Sequence, residues 1–149
     1  MKRVQQETGF TLVEVLLTIA TVGVLTLITV PLLGIFQVKN NIAIATADVV
    51  NALYAAQVRS HGVKGDEQWG VYITPSQITV FQGTSFASRN TNEDKVVDMT
   101  SITSVTGVTE VVFSKVYAAP STTGDITLTA TQGGQHTITL TSQGVIEHN

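Results

Sequence analysis

Between Phe10 and Phe36 the chain carries a single ionisable side chain, Glu14. As a helix rising about 1.5 Å per residue, such a run is long enough to cross a hydrocarbon core of roughly 30 Å. Lys2 and Arg3 precede it and Lys39 follows. The excess of positive charge on the leading side predicts a cytoplasmic N-terminus. The run is too long for an ordinary secretory signal, and the small-residue junction Gly9-Phe10 lies before it rather than after it. The expectation is a single pass through the cytoplasmic (inner) membrane, N-terminus inside, with the remainder outside.

A plain anchor does not explain Glu14. A carboxylate within an apolar membrane segment costs several kcal/mol unless it finds a partner. Cleavage after Gly9 would expose an α-amino group on Phe10 at similar depth. That amine could fold back on Glu14 of its own helix, or neutralise Glu14 of a neighbouring helix and fix the stagger between the two. On a helical wheel Thr11, Thr18 and Thr29 fall within about 20° of one another, with Thr21, Thr26 and Glu14 flanking them. Small polar residues let helix backbones approach closely in lipid. Pro31 removes a backbone donor and predicts a kink.

Beyond Phe36 the pattern becomes amphipathic. Val38, Ile42, Ala45, Val49, Ala52, Leu53 and Ala56 follow a helical spacing that predicts a continued helix to about Ser60, with Gly62 as its stop. Alternation then predicts strands over 69–74, 77–82, 110–118, 124–130, 136–141 and 144–147, with a polar loop over 83–94 and no clear assignment for 95–105. The fold class read from this order is α+β. A long N-terminal helix, membrane-spanning in its first half and amphipathic in its second, packs against a small antiparallel β-rich head. The segments are a basic leader (1–9), a transmembrane helix (10–36), its amphipathic continuation (37–61) and the head (62–149).

Composition removes several functions. There is no cysteine, hence no disulfide framework and no thiolate chemistry. Net charge is −3 and no basic cluster stands out, so nucleic acid is not a favoured partner. His61, His136 and His148 are far apart in sequence, and no metalloprotease, nucleophile-elbow or phosphate-loop pattern occurs. An enzyme is not expected, nor a cofactor or metal. Asp66-Glu67 and Glu93-Asp94 read as solvated loop pairs rather than calcium ligands. Trp69 and Tyr72 read as residues anchoring a sheet to the helix rather than as a stacking surface.

Gly9-Phe10-Thr11-Leu12-Val13-Glu14, after a short basic leader and before a long apolar helix, resembles the processing motif of type IV prepilins and type II secretion pseudopilins. The resemblance implies cleavage between Gly9 and Phe10 by a prepilin peptidase, methylation of the new Phe10 amine, and a role for Glu14 in recruiting and registering subunits. Pro31 resembles the point where pilin helices bend. Implied partners are other pilin or pseudopilin subunits, the peptidase, an inner-membrane assembly platform and the membrane. Ala52-Leu53 through Ala56-Gln57-Val58-Arg59, Trp69-Gly70-Val71-Tyr72 and the end near Gly144-Val145-Ile146 also resemble the GspH/FimT group of minor subunits. The function so implied is a structural subunit of a pilus or secretion pseudopilus. Alternatives are a tip-located subunit binding DNA or a surface ligand, and an anchored domain that never polymerises.

Overall fold

A computed structural model describes residues 9–131 and 133–148 and, within the helix, the side chains of 12–27 and 40–61. The chain divides into two compact units, Met1–Phe36 and Gln37–Asn149. Helix α1 is Leu12–His61, followed by a short 3-10 turn at Lys64–Asp66. Among the described residues eight strands follow: β1 (Trp69–Ile73), β2 (Gln77–Gln82), β3 (Asn90–Asp98), β4 (Ile102–Gly107), β5 (Glu110–Phe113), β6 (Gly124–Ala130), β7 (Gln135–Leu140) and β8 (Ile146–His148).

The strands form two four-stranded sheets, ordered β3-β2-β1-β5 and β4-β6-β7-β8. Every pairing is antiparallel. Alternation along β6 and β7 sends Ile126, Leu128, Ile138 and Leu140 inward and leaves the threonines between them outward. The stretch 40–61 contributes Ile42, Ala45, Val49, Ala52, Leu53 and Ala56, the face its 3.6-residue spacing predicts. These side chains share one core with residues of both sheets. Gly70 sits in a central strand because a Cβ there would meet the Phe81 ring at 2.5 Å and the Val111 carbonyl at 2.8 Å. Gly107, at φ 87, holds the β4–β6 pair close, since a Cβ would overlap the Asp125 carbonyl.

The expected architecture is corrected here. The amphipathic stretch is no stalk laid beside a small head: it supplies one side of the core of a body containing all eight strands. The other half of the expectation, a membrane-spanning first half, is overturned as well. Among the described residues no helix is long and apolar enough to cross a membrane. The single-pass location in the inner membrane, with its inside and outside ends, is withdrawn with it. Residues 1–8 of the expected leader lie outside the described residues, as does the side chain of Pro31.

Strand boundaries differ in instructive places. Residues 83–94 do not form one loop: β3 begins at Asn90. It is an edge strand, exposed along nearly its whole length, so it has no buried face to impose alternation on its sequence. The stretch 95–105 resolves into the end of β3 and the start of β4, turning at Ser101 with φ 68. The strand expected to reach Ala118 ends at Phe113, so Lys115 and Tyr117 lie in a loop.

Candidate functional site

Helix α1 starts with a side-chain cap. The Thr11 Oγ1 accepts the Glu14 backbone N–H at 3.3 Å, and the Thr11 carbonyl accepts the N–H groups of Glu14 and Val15 at 3.1 and 3.2 Å. Thr11-Leu12-Val13-Glu14 therefore places a threonine cap three residues ahead of a glutamate. The sequence reading passed over this role of Thr11, although the spacing of Thr and Glu signals it. Glu14 falls in the first turn, where the positive end of the helix dipole favours a carboxylate. Its side chain is exposed and has no ion-pair partner among the described residues.

Gly9 and Phe10 precede the helix, both exposed, and Phe10 retains 84% of its accessible surface. The scissile position expected between them is thus exposed. From Leu12 to residue 27 every side chain is exposed, on all sides of the helix. Leucine, isoleucine and valine dominate this stretch, and Leu27 is 79% exposed. A helix apolar all round is one that ends up buried.

The threonines of this stretch are already satisfied internally. Thr18 donates to the Val15 carbonyl at 2.8 Å, Thr21 to the Thr18 carbonyl at 2.9 Å and Thr26 to the Val22 carbonyl at 2.6 Å. Their hydroxyl protons are therefore not offered to a neighbouring helix; only acceptor lone pairs remain. A Cβ added at Gly23 would meet nothing within 4 Å, so its open side is free for close approach.

In the body, Trp69 is buried, and its ring carries Arg59 at 4.7 Å and Lys64 at 5.5 Å. Its backbone N–H donates to the Ser60 Oγ at 2.9 Å, tying β1 to the helix as expected. Tyr72 stacks on Phe86 at 4.0 Å, on the outside of the first sheet. Phe86 was not anticipated as a structural residue. Its N–H donates to Glu110 at 2.8 Å, and Arg89 lies over its ring while pairing with Asp94 at 2.8 Å. Asp66 pairs with Lys115 at 3.2 Å. Among the described residues no group of three His, Asp or Glu side chains is placed to hold a metal. A polar groove of about 420 Å³ lies along Gly65, Glu67, Gln82 and Asn90.

No family model, curated protein or solved structure matches the chain.

Proposed function

We propose that this chain is a filament subunit of the pilin or pseudopilin kind, structural rather than catalytic, which a prepilin peptidase cuts between Gly9 and Phe10. The freed helix packs against the corresponding helices of neighbouring subunits. The observation that carries this reading is the stretch 12–27, apolar on every side, exposed on every side, and bearing one carboxylate at its start. Burying such side chains stabilises by roughly 1.5–3 kcal/mol each, so an exposed array of this size favours association strongly. The internally bonded threonines support the same reading, because a hydroxyl already donating to its own helix enters an apolar contact at little cost.

In the packed array Glu14 would be taken out of water, and it then requires a cation. The Phe10 amine created by cleavage supplies one, four residues away along the helix or across to the next subunit. Subunits out of register would bury Glu14 unpaired, so the same residue selects the correct stagger. The test is assembly of Glu14→Ala and Glu14→Gln variants in cells that process the chain, read as sedimentable filament per cell. Both variants should be cut normally and lose at least tenfold of the filament. Filament at the level of the unaltered chain would contradict the assignment of register to Glu14.

A further inference from the structure

We propose that the groove along Gly65, Glu67, Gln82 and Asn90 binds a neutral sugar ring, with the Gln82 carboxamide and the Glu67 carboxylate as its recognising groups. The site lies within the unit Gln37–Asn149 and is independent of how subunits assemble.

Gln82 ends β2, is only 8% exposed and lines the groove. Its Oε1 accepts the Asn90 side-chain amide at 3.2 Å, while its Nε2 makes no hydrogen bond among the described residues. A buried amide with idle donors costs free energy unless a partner reaches it. The fold leaves room beside this amide instead of a partner. Gly65, which also lines the groove, has φ 71, and a Cβ there would overlap the Gln82 Nε2.

An acceptor stands in the same groove. Glu67 is exposed, and its carboxylate has no ion-pair partner among the described residues. The charges nearby are turned to other groups. Lys64 lies 5.5 Å over the Trp69 ring, Lys115 pairs with Asp66, and Arg89 pairs with Asp94.

The segment 83–89 joins β2 to β3 and lines the groove with Gly83, Thr84 and Ser88. Paired antiparallel strands need only about two to five residues to connect. This longer segment is also fixed in place, by the Phe86 N–H on Glu110 at 2.8 Å and by Arg89 on Asp94 at 2.8 Å. It holds the Thr84 and Ser88 hydroxyls 3.3 Å apart.

The lining selects the ligand. Small-molecule sites run to about 300–1,000 Å³ and are mostly apolar. This groove, at about 420 Å³, has the size without the apolar walls. Among the described residues no aromatic, aliphatic or basic side chain lines it, which disfavours a nucleobase, a lipid tail or a phosphate. The ligand must accept from Gln82 and donate to Glu67. A hydroxyl does both, and a sugar ring carries hydroxyls in adjacent pairs that match the two oxygens of one carboxylate.

Nuclear magnetic resonance on the full-length chain, in a detergent without a sugar headgroup, tests this. The probes are the methyl glycosides of glucose, galactose, mannose and N-acetylglucosamine at tens of millimolar. The expected result is saturation transfer to at least one glycoside, with shifts at the Gln82 side-chain amide protons and the Thr84 and Ser88 backbone amides. Glu67→Gln should weaken that binding at least fivefold, and Glu93→Gln should leave it unchanged. Both side chains are exposed, and thermal unfolding verifies that the variants fold. Absence of transfer to all four glycosides overturns the proposal, as do shifts confined to residues outside the groove. Binding undiminished by Glu67→Gln overturns it too. Calcium chloride that shifts the same amides when no glycoside does would make the groove a cation site and overturn it. None of these outcomes bears on the filament reading, which sedimentation tests separately.

Discussion

Residues 12–27 and 40–61 belong to the same helix, and both are rich in apolar side chains, but they dispose of them differently. In 40–61 Ile42, Ala45, Val49, Ala52, Leu53 and Ala56 form one face that shares a core with the strands, while Ile44, Tyr54 and Val58 stay exposed. In 12–27 they occupy every side of the helix and are exposed. The threonines sharpen the contrast. Thr46 is buried, and its hydroxyl donates to the Ile42 carbonyl at 2.8 Å. Thr18, Thr21 and Thr26 make the same kind of bond while exposed. The local chemistry of a buried threonine is therefore present in a stretch that is still exposed. Amphipathicity marks a helix that its own chain can satisfy, and its absence marks one that needs other molecules.

This contrast should break most visibly in the core. Leu53→Ala removes a fully buried side chain from the shared cluster and should lower unfolding stability by about 2–5 kcal/mol, read by denaturant titration. Ser60→Ala should cost about 1–3 kcal/mol, because it leaves the buried Trp69 N–H without its acceptor. Arg59→Ala should cost about 0.5–2 kcal/mol, through loss of the guanidinium over the Trp69 ring. Leu17→Ala, in the exposed stretch, should change unfolding of the body by less than about 0.5 kcal/mol while reducing sedimentable filament. A loss of body stability from Leu17→Ala comparable to that from Leu53→Ala would erase the distinction between the two stretches.

What the sequence made legible follows burial. The face Ile42, Ala45, Val49, Ala52, Leu53 and Ala56 was readable because a covered helix face must repeat every three or four residues. β2 and β6 were readable to the residue because inward and outward side chains alternate there or sit between clear turns. β3 was not, since an edge strand exposed on both faces obeys no such rule and is held by its backbone pairing with β2. The Phe86 clamp was hidden because it joins Tyr72, Glu110 and Arg89 from separate segments. At the candidate site, Glu14 stood out as a lone charge, whereas the cap made by Thr11 needed the geometry to be seen. The long run 10–36 suggested a membrane span from composition alone, whereas among the described residues no helix is long and apolar enough to cross a membrane.

The central claim is that the exposed apolar helix is completed by processing and then satisfied by other subunits. The most direct test is the intact mass and N-terminal sequence of the protein from cells with and without prepilin peptidase. The account predicts a chain beginning at N-methylated Phe10 only where the peptidase is present. A chain that retains Met1–Gly9 in both strains would contradict it.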